Sequence, residues 1–213
     1  MGNNYYLIFV VAIVGFLAIC FWMFERRSPQ ARELVLLSVI CAVAVVGRMV
    51  FFMLPNFKPV IAITIIAGVG LGSQAGFLVG AISMLVSNFS FGMGPLTPFQ
   101  MFATGIIGFL AGIIFYRRNI KKIYIPLCIY GGVATFVIYG GIMNPAGLML
   151  LSSGQEFTWP LLIASYVQGL RFDTVHAASS IVFLAVLSPL ILYILNRMRV
   201  KYGLGEAPRN NKL

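Results

Sequence analysis

Ionisable side chains are scarce in this sequence, and those that could do chemistry sit in or beside long apolar runs. Arg48 lies inside such a run, six residues before Leu54, so about 9 Å from the end of its helix at a rise of 1.5 Å per residue. Two readings are open. Its stem can snorkel along apolar surface to the headgroups, or it faces a polar cavity and binds something anionic or amide-rich. Lys58 lies in the short loop Pro55-Asn56-Phe57-Lys58-Pro59. Arg171 and Asp173 flank the start of the last apolar run, with His176 one turn on. Asp173 can cap that helix, or it pairs with Arg171 to shape a pocket. His176 shares a face with Asp173, but no second His or Cys stands at ligand spacing, so no metal site is expected. Residues 87–98 mix aromatics, glycines and hydrogen-bonding groups, and Gln100 follows. That mix suits a lid or floor over a large amphipathic ligand. It equally suits a plain re-entry turn, with Thr97 as cap and Pro98 at the first helical position. The candidate ligand-binding set is Arg48, Phe57, Lys58, Asn88, Phe89, Phe91, Gln100, Trp159, Gln168, Arg171 and Asp173. No catalytic residues are expected, because a paired nucleophile and base is nowhere evident.

The elements that carry these residues are apolar runs. A helix needs ~20 apolar residues to cross a bilayer. Runs occur at residues 5–24, 34–54, 60–72 (short), 75–91, 97–116, from 123 to a weak point near Gly140-Gly141, and 174–195. Residues 142–172 are harder to place. Residues 159–170 make only ~18 Å of helix, too short to span. This stretch reads as an outer loop with an interfacial or partly inserted helix anchored by Trp159. The first run lacks a basic segment before it, and Arg26 and Arg27 follow it. It reads as a retained helix with its N-terminus outside.

Composition agrees. Of 213 residues, 60% are hydrophobic and only 9% charged, with mean hydropathy +0.96. Soluble globular domains carry far more charge, which excludes a soluble enzyme, a secreted disulfide domain and a nucleic-acid binder. The net charge of +10 has a topological cause. Arg26, Arg27, Arg32, Arg117, Arg118, Lys121, Lys122, Arg197, Arg199, Lys201, Arg209 and Lys212 all fall on one side if seven spans alternate. Only Lys58 falls in a loop on the other, and that bias marks the cytoplasmic side. Cys20, Cys41 and Cys128 lie inside apolar runs and read as small buried residues. The Gly-rich stretch at 68–72 lacks the Lys-Ser/Thr of a phosphate-binding loop, so any ATPase must be another chain. Ser38 with Ala42, Gly76 with Gly80 and Gly108 with Gly112 are small pairs four apart. They either pack the chain's own helices or dock a partner in the membrane.

Several segments carry a family resemblance. They are Ala31-Arg32-Glu33 through Val46-Gly47-Arg48, Pro55 with Phe57-Lys58-Pro59, and residues 75–81. Ser87-Asn88-Phe89, the Gly92, Gly94-Pro95, Thr97-Pro98, Gln100-Met101 series, and Phe172-Asp173 with His176-Ala177 complete the set. Over about residues 31–200 the chain resembles the substrate-binding S components of energy-coupling factor (ECF) transporters, a class of ABC importers. It looks most similar to the vitamin B12 (cobalamin) S components.

The resemblance implies an all-α membrane helix bundle, with a six-helix domain at 31–200. An extra helix and basic linker precede it at 1–30, and a basic cytoplasmic tail follows at 201–213. It implies a bacterial cytoplasmic-membrane protein that takes a vitamin from outside, here cobalamin, and delivers it inward. Its partners would be a transmembrane coupling subunit and two cytoplasmic ATPases, which use the ATP. The chain would need no cofactor of its own and no nucleic acid. The family's small-residue docking motif falls on Ser38 and Ala42, with Gly76 and Gly80 as further candidates. The alternatives are an S component for another vitamin or precursor, and a stand-alone secondary transporter. The latter often shows internal repeats and midplane charges, and no convincing repeat is present.

Overall fold

The computed structural model describes residues 2–26, 29–118, 120–151 and 158–202. Arg27, the polar stretch at 152–156, and the tail from 203 onward with Arg209 and Lys212 lie outside the described residues. The described chain is all helix: α1 (Gly2–Arg26), α2 (Ala31–Val50), α3 (Val60–Leu71), α4 (Ser73–Phe91), α5 (Thr97–Phe115), α6 (Ile120–Ala134), a π turn (Thr135–Tyr139), α7 (Gly140–Leu151) and α8 (Trp159–Tyr202). Six segments are long and apolar enough to cross a membrane, and α3 is a shorter seventh apolar helix. This is the polytopic membrane bundle expected from the sequence, with six helical segments after an N-terminal one.

α3 is the axis of the bundle. Every one of its residues is buried, as befits a helix apolar on all sides. Pro59 precedes it, and Gly72 ends it at φ +107°. That left-handed backbone is open to glycine at no steric cost, and it lets α4 begin at the next residue and run back along α3. The two helices meet α5 at backbone contact. A Cβ on Gly76 would lie 2.7 Å from the Gly68 Cα and equally close to the Gly108 carbonyl carbon. One on Gly80 would lie 2.8 Å from the Thr104 carbonyl carbon. Gly76 and Gly80 are thus spent inside the chain and are not presented to a partner. Ser38 and Ala42, in contrast, are exposed on α2.

The segment at 142–172 departs from the expected outer loop. α6, the π turn and α7 form one apolar rod ending at Leu151, and α8 is a single helix of 44 residues starting at Trp159. Its length is ~66 Å, about twice the hydrocarbon core. Residues 159–170 are its first turns, not a separate short helix. Arg171 and Asp173 do not interrupt it, because neither removes a backbone donor or demands an unusual φ. Pro160 sits in the first turn, where no intrahelical donor is lost. Gly169 is buried against the side chain of Asn144 in α7.

α1 is mostly exposed, with Ile13, Leu17 and Phe24 turned inward. Its Phe16 ring lies 5.2 Å from Phe102 and 6.0 Å from Phe77, and its Tyr6 ring 5.9 Å from Phe99. The three cysteines are free thiols, Cys41 buried and the others half-buried.

Candidate functional site

The polar groups of the membrane domain gather where the C-terminal ends of α2 and α4 meet the N-terminal ends of α3 and α5. Arg48 stands two residues before the end of α2 and is 8% exposed. It therefore does not snorkel. Its Nη1 donates to Ser87 Oγ and to Asn88 Oδ1, the latter at 2.8 Å. Asn88, 2% exposed, is the hub of the network. Its Nδ2 donates to Thr97 Oγ1 (3.0 Å) and to Gln100 Oε1 (2.7 Å), linking α4 to α5. Thr97 Oγ1 also accepts from the Gly94 N–H at 3.2 Å, which fixes the turn before α5.

Phe91 forms an aromatic floor. The Arg48 guanidinium carbon lies 4.5 Å from its ring centroid and the Lys58 ammonium 4.7 Å. Two cations thus lie over one aromatic ring, and cation–π attraction offsets part of their mutual repulsion. Burial, and next the positive charge of Arg48, hold the Lys58 ammonium below the ordinary lysine range. The loop that carries Lys58 is stapled by rings: Phe51 and Phe57 lie 5.0 and 5.3 Å from Phe183 of α8. Ser179 of α8 also donates to the Lys58 carbonyl at 3.1 Å.

The π turn brings Tyr139 to the same end. Its ring lies 4.7 Å from His176, edge to face. Tyr139 is within electrostatic reach of Arg48 and Asp173, and His176 of Lys58 and Arg48. Asp173 Oδ2 accepts from Asn144 Nδ2 at 2.7 Å, joining α8 to α7. This differs from both sequence expectations for Asp173. It stands in mid-helix, so it caps nothing, and its recorded partner is an amide of α7, while Arg171 is exposed.

Of the residues singled out from sequence, Arg48, Lys58, Asn88, Phe91 and Gln100 converge, with Phe57 and Asp173 beside them. Phe89 (72% exposed), Trp159 (74%), Gln168 and Arg171 point away. In α4 the helical phase turns Phe89 out while Asn88 and Phe91 turn in. In α8 the continuous helix carries Trp159 and Gln168 onto its outward side. Sequence reasoning left Ser87, Tyr139, Asn144 and His176 out of the set. His176 carried a signal in its spacing from Asp173. Tyr139 and Asn144 carried none, because they flank a Gly-Gly pair that looks like a fading span.

Arg48 has five N–H donors, and two of them, both on Nη1, have recorded acceptors. Among the described residues its partners are a hydroxyl, an amide and a ring, none of them an anion. No hydrogen bond from the Lys58 ammonium, the Tyr139 hydroxyl or the His176 ring is recorded among the described residues. Such a set can donate hydrogen bonds to a ligand rich in acceptors.

At the opposite end of the bundle Arg117 and Arg199 flank the Tyr116 ring, at 5.1 and 5.6 Å. Ser38 and Ala42 line an apolar groove of about 570 Å³ between α2, α4 and the end of α1, where Phe21 and Phe24 form one wall.

Comparison with curated proteins and with solved structures returned no match. Comparison with protein families matched residues 29–195 to the ECF-type riboflavin transporter, S component. The transporter class expected from the sequence is the one found. The expected likeness to the cobalamin components is not, since the matching family is that of the riboflavin components. α1 lies outside the matched residues. The match covers most of the chain and all of the polar cluster, and the chain belongs to the family of S components of ECF-type riboflavin transporters.

Proposed function

We propose that this chain binds riboflavin at the Arg48 end of the bundle and passes it inward as the membrane-embedded vitamin-binding subunit of an ECF importer. The observation that carries the ligand class is the pair of cations on Phe91. Arg48 and Lys58 hold unspent N–H donors beside one aromatic ring. A flavin offers what they lack: a flat ring system with carbonyl and ring-nitrogen acceptors at one edge. Its polyhydroxyl chain suits the amides of Gln100 and Asn144. The matching family supports the same vitamin and gives cobalamin no support.

The Arg48 end then faces outside, since the basic segments at residues 117–122 and 197–201 favour the cytoplasm. Ser38 and Ala42 would meet the coupling subunit, and ATP would be hydrolysed by the two ATPases. The test is titration of the purified full chain with riboflavin, cobalamin and thiamine, read by calorimetry and by quenching of flavin fluorescence. Tight one-to-one riboflavin binding that weakens in Lys58→Met and Phe91→Ala is expected. Binding of cobalamin in preference to riboflavin would overturn the assignment.

A further inference from the structure

α1 lies outside the residues that define the family, yet it is joined to the polar cluster by one specific contact. The Tyr6 hydroxyl donates to the Pro95 carbonyl at 2.7 Å, and the Tyr6 ring lies 5.9 Å from Phe99. Pro95 is in the short turn between α4 and α5. That turn is entered through Gly92, at φ +105°, and closed by mutual hydrogen bonds between Gly94 and Thr97. Thr97 is in turn a partner of Asn88, and Asn88 of Arg48. From Tyr6 to Arg48 the path is therefore short: phenol to turn carbonyl, turn to Thr97 hydroxyl, hydroxyl to Asn88 amide, amide to guanidinium.

The turn has little else to hold it. Residues 92–95 are exposed, and added Cβ atoms at Gly92 and Gly94 would meet nothing within 4 Å. Packing holds the turn only at Leu96, so the position of residues 92–95 rests on hydrogen bonds. Below the turn, α1 is anchored by Phe16 against Phe77 and Phe102. This stacking keeps Tyr6 at a constant height beside the turn.

We infer that α1 is a strap: Tyr6 holds the α4–α5 turn down on the ligand-binding cluster and sets how long a bound ligand stays. Tyr6 is a positioning residue that acts through Pro95 and Thr97. The inference rests on the ligand site being the Arg48 cluster. A strap on a turn at the mouth of a site controls escape more than encounter, because the encounter complex forms before the turn closes. Loss of one hydrogen bond of ordinary net worth raises an escape rate about three- to tenfold.

The test uses the full-length protein in nanodiscs, with Tyr6→Phe, which keeps the ring on Phe99 and removes only the hydroxyl, and with Phe16→Ala, which loosens α1 lower down. Riboflavin association and release are followed by stopped-flow fluorescence. Backbone hydrogen exchange of residues 92–97 is measured without ligand. The strap predicts faster exchange in the turn and about three- to tenfold faster release in Tyr6→Phe, with the association rate unchanged. An unstapled helix that merely stabilised the fold would lower the melting temperature and leave this kinetic split absent. Unchanged exchange in the turn overturns the inference, and so does faster exchange with an unchanged release rate. If riboflavin fails to bind the unmodified protein, the proposed function fails instead, and the ligand-free exchange measurement still decides whether Tyr6 holds the turn.

Discussion

Replacing Arg48 by Met should separate binding from stability. Met keeps an unbranched stem of similar length and removes the charge and all five donors. On the binding side, a ligand loses a charge-assisted hydrogen bond of ~1.5–3 kcal/mol. At 1.4 kcal/mol per factor of ten, affinity falls about 10- to 100-fold. On the folding side, two effects oppose. A cation held against neutral partners carries a desolvation cost of several kcal/mol, which the substitution removes. Asn88 Oδ1 loses its donor, which costs ~1–3 kcal/mol, while Ser87 keeps its bond to the Ser83 carbonyl (2.6 Å). The ligand-free protein should therefore melt within about 4 °C of the unmodified one. The assay is a paired one: flavin titration for affinity and thermal melting in the same detergent without ligand. A fall in melting temperature above about 8 °C, with unchanged affinity in the folded fraction, would make Arg48 a structural strut and refute the reasoning.

Further outcomes follow from the same geometry. Lys58→Met should weaken flavin binding. It should also raise the ligand-free melting temperature at neutral pH, because burial and Arg48 disfavour the ammonium in the folded state. The penalty is fully present below the folded-state pKa and fades as pH rises through it toward the ordinary lysine value, so the melting difference should shrink in alkaline buffer. Phe91→Ala and Phe89→Ala form a contrast pair two residues apart. The first should cost about tenfold or more in affinity, while the second, on the exposed side, should stay within about twofold, as a titration of both would tell. Gly76→Leu should leave no folded protein on size-exclusion chromatography, since backbone of α3 and α5 occupies the space. Ala42→Leu should fold and bind flavin normally yet abolish energised uptake in cells with the complete transporter.

How much was legible in the sequence depended on the scale of the signal. The membrane class and the helix number follow from hydropathy and the placement of arginines, which act over tens of residues. Arg48, Asn88 and Gln100 stood out because polar groups at membrane depth are costly unless they meet one another. Rotational phase was less visible. Phe89 and Phe91 are the same residue type in the same turn, and only the helical phase divides them. The α7–α8 region was misread for a different reason. Arg171 and Asp173 look like a helix start, and a stop is inferred when a polar stretch follows an apolar one. Gly169 is held in the helix against Asn144 and no Pro lies between Leu161 and Asp173, so hydrogen bonding simply continued through them. Tyr139 could not have been found, because a π turn leaves no mark in a run of Thr, Phe, Val and Ile.

The π turn also makes the chain's length a variable of the site. A π turn holds one residue more than the α-helical turn it replaces. Removing one residue from positions 135–139 lets the rod close as ordinary helix, and because the turn already held the surplus residue, the segments before and after it keep their phase. Gly140 and Asn144 would still face Asp173 on α8. Such a one-residue deletion should insert, fold and keep both the Asn144–Asp173 contact and flavin binding. A deletion of one residue in the adjoining α6 at position 129, which already faces outward, removes no surplus residue and should turn everything after it by about 100°, with loss of flavin binding. Adding one residue at positions 135–139 to that second deletion should restore flavin binding, and failure of this restoration would show that the spacing is not what the turn preserves.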